Sequence, residues 1–305
     1  MIPHQPKILS PFSVVKKGNV TLLVKEQYKE SVQHMVFDAE SLFKQYKDKV
    51  DIKSGRGDYL SVPVKENSAE RLIMKNYKHG GLFGRFLGSV FCNGNRPLRD
   101  MCLHEIASQK GVSTAEVVAV TKKKVWGAFY RANIISKEIS GAVDIARFLK
   151  ESSFEDTQRL KKSIILASAK LIRCMHDAGI YHADLHLKNI LIQEDPASNI
   201  HIQAHIVDLD KSIIVSSIMT IHQRIRNLSR LDRSVEKFNW LLSRASMNKK
   251  AGLISGIDRV RFFKYYMTYG NTLGKDWKKY VRKYQSNYSL RKLWWRVLGL
   301  SGKKV

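Results

Sequence analysis

Residues 181–192 read YHADLHLKNILI, and the fold is decided here. Asp184 follows His182 by two positions and precedes Asn189 by five. Upstream, residues 157–178 place Leu160, Ile164, Ala167, Leu171 and Met175 at spacings of three or four, which predicts a buried helix stopped at Gly179. Downstream, Ile190 to Gln193 predicts a strand. One loop between a helix and a strand thus offers a carboxylate and an amide. The aspartate is placed to reach a hydroxyl, and the asparagine to present its amide oxygen to a magnesium ion. His182 is expected to pack and hydrogen-bond so as to shape the loop.

That spacing matches the H-x-D-x-x-x-x-N pattern of kinase catalytic loops. Further on, a strand over 200–207 ends at Asp208 in HIVDLDKS, residues 205–212. A hard cation bridging phosphates needs an anionic oxygen there, so Asp208 is the second expected metal ligand. Asp210 stands where the D-F-G pattern has glycine. Two readings of it stay open: a further carboxylate near the metal, or a solvent-facing side chain.

The N-terminal half has a different character. Residues 18–25 alternate Val20, Leu22 and Val24 as a strand, and Asp38 to Lys47 is expected to be a short helix capped by Asp38. The turn Ser54-Gly55-Arg56-Gly57-Asp58 leads into a strand from Tyr59 to Val64, and the return strand Arg71 to Tyr77 carries Lys75. Gly55 and Gly57 would let backbone amides approach phosphates without a side-chain clash. After a loop with five glycines, Pro97 to Lys110 reads as a helix stopped by Gly111, with Glu105 set to neutralise and position Lys75. Residues 115–121 and 125–139 form an expected antiparallel pair around a Lys122-Lys123-Lys124 turn. Glu138 and Ile139 at its end are candidate nucleotide contacts. Each of these residues has a bland alternative, since strand-end lysines and mid-helix glutamates are ordinarily solvated and two glycines usually mark only a turn. Their order along the chain favours the functional reading.

The expected fold is therefore α+β and bilobal, of protein-kinase type. Residues 1–139 form an antiparallel-sheet lobe with one helix and a leader over 1–50, and 140–305 form a mainly helical lobe. At 305 residues, 44% hydrophobic, the chain can bury such cores unaided. No run approaches the roughly 18 apolar residues of a membrane span. Cys92, Cys102 and Cys174 are sparse and odd in number, which reads as a reducing, cytosolic setting. His176, His182 and His186 lack partners at zinc-site spacing. The net charge of +26 calls for an anionic partner: nucleic acid, an acidic membrane surface or a phosphorylated substrate.

His186 stands where protein kinases usually have lysine, and no A-P-E follows Asp210. The segments NYKHGGLFGRFLG, HEIASQKGV, MHDAGIYHADLHLKNILI and VDLDKS resemble the bacterial lipopolysaccharide kinase family, particularly its 3-deoxy-D-manno-octulosonic acid (Kdo) kinases, over Gly55 to Arg233. The resemblance implies phosphate transfer from ATP, with Mg2+, to a sugar hydroxyl on a Kdo-bearing lipid A precursor at the cytoplasmic face of the inner membrane. By the family pattern Asp184 is the base, Asn189 and Asp208 are the metal ligands, and Lys75 with Glu105 forms the phosphate-positioning pair. The basic, aromatic segment 275–305 fits an anionic surface. Other acceptors, as in a heptose kinase or an aminoglycoside-type phosphotransferase, share such a loop. The basic tail also admits a nucleic-acid-binding protein on a degenerate kinase scaffold.

Overall fold

The computed structural model describes residues 12–38, 51–53, 59–65, 68–77, 89–92, 95–194, 202–215, 218–245 and 253–270. Gly55, Gly57, the 78–88 glycine loop and the 275–305 tail lie outside them. The chain divides into two compact units: residues 1–141 with Asp208–Lys211, and residues 142–207 with 212–305. The expected break at 139/140 falls two residues later. Asp208 and Asp210 group with the first unit, where Asp210 pairs with Arg96.

The first unit is built on an antiparallel sheet of eight strands. In chain order these are β1 (Phe12–Lys17), β2 (Val20–Lys25), β3 (Asp51–Lys53), β4 (Tyr59–Pro63), β5 (Arg71–Asn76), β6 (Phe91–Cys92), β7 (Val117–Trp126) and β8 (Phe129–Lys137). Among the described residues the unit also contains helix α1 (Lys29–Phe37) and helix α2 (Arg96–Gln109). The spatial order is β1-β2-β7-β8-β5-β4-β3, with β6 paired to β8. Leu22 and Val24 pack with Val32 and Met35 of α1, whereas Leu23 packs with Met101 and Cys102 of α2. Both faces of the sheet are covered there, so Leu22, Leu23 and Val24 are apolar and buried in succession, as a strand segment packed on both sides must be.

The expected early strand forms as β2, and β1 joins it in a hairpin that extends the sheet beyond β7. Asp38 ends α1, its backbone N–H donating to the His34 carbonyl; the helix expected over Asp38 to Lys47 lies outside the described residues. Lys122, Lys123 and Lys124 are strand, not turn: β7 runs on to Trp126 and the chain reverses at Gly127, whose φ of +50° suits glycine.

The second unit contains β9 (Val143–Asp144), α3 (Ile145–Glu151), α4 (Phe154–Asp177), β10 (Ile180–Tyr181), β11 (Ile190–Glu194), β12 (Ile202–Ile206), β13 (Ile213–Ile214), α5 (Ile221–Ala245) and α6 (Gly256–Thr268). Ser153 caps α4 by accepting from the Asp156 N–H at 3.0 Å. Leu160, Ile164, Leu171, Ile172 and Met175 of α4 are buried, and Gly179, at φ +77°, turns the chain out of it. Strands β9, β11 and β12 form an antiparallel sheet, and β12 packs on α4. No helix among the described residues is long and apolar enough to cross a membrane.

Arg173 of α4 is 1% exposed and joins α4 to α6. Its guanidinium donates to the Tyr266 carbonyl at 2.9 Å and to Asp177 at 2.7 Å. Replacement by an apolar side chain leaves that carbonyl without this donor. Arg173→Leu is therefore expected to lose about 2–4 kcal/mol of stability, read from urea unfolding; an unchanged midpoint would contradict this role.

Candidate functional site

The helix end, loop and strand read from 157–193 form as α4, β10, a 3-10 turn at Leu187–Asn189, and β11. His182 is fully buried. The Asp184 N–H donates to its Nδ1 at 3.2 Å, which leaves Nε2–H to donate to the Val207 carbonyl, also at 3.2 Å. The ring therefore ties the loop to the strand preceding Asp208 and holds the backbone of Asp184. It is a shaping residue, as expected. Asn189 donates through Nδ2 to the Asp184 carbonyl at 3.0 Å, so its amide oxygen is the part left for a cation. Val207 donates to the Asn189 carbonyl, and Asp208 is the next residue along the chain.

A buried chain of hydrogen bonds holds this loop from behind. Asn227 of α5 donates through Nδ2 to the His182 carbonyl at 2.6 Å. Its Oδ1 lies 2.9 Å from His176 Nε2 and must accept, so His176 carries its proton on Nε2. His176 Nδ1 then accepts from the Tyr266 hydroxyl at 2.7 Å. Every group has a partner and none needs a charge. Burial lowers the His176 pKa to about 4, against the Asn227 hydrogen bond, and Arg224 and Arg173 also disfavour the cation. The Leu187 N–H donates to Ser234 of α5 at 3.0 Å, a second anchor. Asn227, Tyr266 and Ser234 carry no motif, and nothing in the local sequence announced them.

In the first unit, Asp208 has φ +63° and is the only non-glycine residue with positive φ among those described. Aspartate tolerates this region better than most side chains, and such conformations gather at functional sites. Of the two readings of Asp210 the solvent-facing one is overturned: its side chain is largely buried and forms an ion pair with Arg96 at the start of α2. The Arg96 guanidinium also lies over the Tyr77 and Phe91 rings, at 5.2 and 4.9 Å.

The helix carboxylate is corrected too. Glu105 faces Lys25 of β2, 3.6 Å away, and not the expected Lys75. Asp100, about 140° around the helix from Glu105, turns inward and accepts from the Tyr77 hydroxyl at 2.6 Å. Burial raises the Asp100 pKa to about 7 in spite of that bond, with the charges of Asp210 and Asp208 pushing the same way and Arg96 opposing. Its Oδ1 is buried without a hydrogen-bond partner, 3.6 Å from His104 Nε2. A carboxylate among the buried positions Pro97, Met101 and His104 was the available sequence signal. Burial likewise pushes the Tyr77 hydroxyl far up, assisted by the Asp100 charge.

Lys75 lies on β5, exposed, opposite Ile134 of β8. Glu138 directs its carboxylate to Ser61 and Arg71, and its N–H donates to the Arg71 carbonyl at 2.8 Å. Its side chain thus braces β4 and β5, leaving only the backbone there for nucleotide contacts; Ile139 is half-buried. Among the described residues no three His, Cys, Asp or Glu side chains gather as a metal cage. Magnesium held by one or two protein oxygens and by substrate phosphates needs none.

The family model described as lipopolysaccharide kinase (Kdo/WaaP) matches residues 45–266. A 3-deoxy-D-manno-octulosonic acid kinase of Vibrio cholerae serotype O1 is 29% identical over 199 residues, 62% of this chain and 77% of that protein. One from Haemophilus influenzae strain Rd is 24% identical over 228 residues, 69% and 90%. A structure of WaaP in complex with acyl carrier protein aligns with TM-score 0.48 at 19% identity, covering 80% of this chain and 88% of that one.

The buried histidine makes stability depend on pH. The folded pKa near 4 lies below the ordinary 6.5, so between them the unfolded chain binds the extra proton and folding weakens as pH falls. Asp100, raised in the fold, acts in the opposite sense and masks the effect. The difference in unfolding free energy between wild type and His176→Gln isolates it. That difference should grow by about 3 kcal/mol from pH 4 to 6.5 and then level off; a pH-independent difference would exclude the neutral buried chain.

Proposed function

The chain belongs to the lipopolysaccharide kinase (Kdo/WaaP) family, and from that premise we propose that it phosphorylates a hydroxyl of Kdo on a lipid A precursor, using ATP and magnesium. The observation that carries the reading is the loop itself, with Asp184 and Asn189 fixed by hydrogen bonds through His182 and Asn227. Relatives named as Kdo kinases favour that acceptor over heptose, aminoglycoside or nucleic acid.

In the reaction Asp184 accepts the proton of the attacking hydroxyl. The new bond joins that oxygen to the γ-phosphorus, and the bond to the bridging β–γ oxygen breaks as ADP leaves. Asn189 and Asp208 are the residues to hold magnesium, which when bound neutralises charge on the β- and γ-phosphates. The charge balance supports a cation: the charges of Asp208 and Asp210 both act on the buried Asp100, whose Oδ1 lacks a hydrogen-bond donor, and Arg96 pairs with Asp210. Lys75 is assigned to the nucleotide phosphates, and the backbone at Glu138 and Ile139 to its base. An acceptor with an acyl anchor places the enzyme at the cytoplasmic face of the inner membrane, where its charge of +26 favours anionic lipid.

Label transfer from γ-labelled ATP to a Kdo-bearing lipid A precursor tests this. Wild type should transfer label. Asp184→Ala should lose a factor of about 10²–10⁴ in kcat while ATP binding persists, and Asp208→Ala should abolish metal-dependent turnover. Full turnover in Asp184→Ala would remove the base assignment.

A further inference from the structure

We infer that a lysine-lined cavity in the first unit, at the turn end of the β1–β2 and β7–β8 hairpins, binds the phosphate headgroup of an anionic bilayer lipid, with Trp126 and Phe129 entering the apolar layer beside it. The inference builds on the membrane-surface location proposed above and names a site for it. Neither hairpin tip takes part in the chemistry assigned to Asp184, Asn189 or Asp208.

The cavity has a volume of about 540 Å³, within the roughly 300–1,000 Å³ range of small-molecule sites. Strand register explains its charge. Lys16 of β1 pairs with Thr21 of β2, and Thr21 pairs with Lys122 of β7, so both ammonium groups stand on one face with the threonine between them. Lys124, two residues along β7, shares that face, whereas Lys17 and Lys123 take the other. All three lysines line the cavity, and no carboxylate does among the described residues. The start of α2 closes one side through Asn95, which makes no side-chain cap bond, so the positive end of the helix adds to the lysine field.

The rim carries the second half of the argument. Trp126 is 72% exposed and lies stacked on Phe129, with ring centres 5.0 Å apart and planes within 4°. Val125 beside it is also exposed. Phe129 lines the cavity, so the apolar tip and the cationic floor adjoin. A soluble phosphate would use the lysines and leave Trp126 and Val125 idle. Nucleic acid would use the ring faces, but its backbone runs along a charged track, and here the three lysines converge in one concavity. An amphiphile uses both parts: phosphate on the lysines and rings at headgroup level.

Sedimentation of the full-length protein with phosphatidylcholine vesicles, with and without phosphatidic acid, tests the inference without ATP or Kdo. Wild type should pellet only with phosphatidic acid. Joint replacement Lys16→Ala, Lys122→Ala and Lys124→Ala should weaken binding about a hundredfold, and Trp126→Ser alone roughly tenfold. A control with Lys110→Ala, Lys150→Ala and Lys162→Ala removes the same charge from exposed positions elsewhere and should pellet nearly as wild type does; unfolding midpoints verify that every variant is folded. Equal loss in the two triple variants would overturn the cavity in favour of overall charge. No loss in Trp126→Ser would overturn the lipid in favour of a free anion, and tighter Trp126-dependent binding of single-stranded DNA would overturn it in favour of nucleic acid. If wild type pellets and the cavity variant pellets equally, this site falls and the membrane location stands; if wild type does not pellet, both fall.

Discussion

The hydrogen bond from Asn227 to the His182 carbonyl, 2.6 Å long and wholly buried, is the constraint on which the second unit depends. The His182 carbonyl accepts this bond at the turn out of β10, and leaving a buried carbonyl unpaired costs roughly 1–3 kcal/mol. Asn227 supplies the donor, and its own oxygen is satisfied by His176, which is satisfied in turn by Tyr266. Three helices, α4, α5 and α6, thereby fix one loop. Because each donor and acceptor is used once, the loop cannot shift without breaking a buried bond, and this places the Asp184 backbone. Phosphoryl transfer relies mainly on positioning and electrostatics, so such a scaffold matches its needs.

In the first unit the equivalent constraint is electrostatic. Asp210 pairs with Arg96, and burial, with the charges of Asp210 and Asp208 pushing the same way, raises the Asp100 pKa to about 7. The buried carboxylate is disfavoured as a charge in that arrangement. A divalent cation with nucleotide phosphates would rebalance it, as negative clusters at nucleotide sites do. The residues that set the balance, Tyr77, Arg96 and Asp100, belong to the strand and helix that were expected to supply Lys75 and Glu105.

Legibility followed the range of the interactions. The loop at 181–192 and its flanking helix were readable because spacing and periodicity are local, and so were the strand ending at Asp208 and the Arg71 return strand. What was misread depended on partners distant in sequence. Glu105 and Asp100 sit on one helix, and only the sheet beneath decides which faces inward; Lys25, eighty positions earlier, claims Glu105. Two readings of Asp210 stood open, and only its ion pair with Arg96, 114 residues away, removes the solvent-facing one. The lysine triplet at 122–124 resembled a turn by composition, but its register against β2 and β8 keeps it in strand. Asn227 and Tyr266 were invisible because an asparagine and a tyrosine within helices announce nothing until their partners are known.

The account is tested most directly on the residue that holds the loop without touching nucleotide. In Asn227→Leu, the rate of a single turnover of phosphate transfer to a Kdo-bearing acceptor should fall about a hundredfold, the scale expected of an ångström's misplacement of a reacting group, with ATP affinity close to wild type. A rate equal to wild type in a folded variant would contradict the claim that the buried chain positions Asp184.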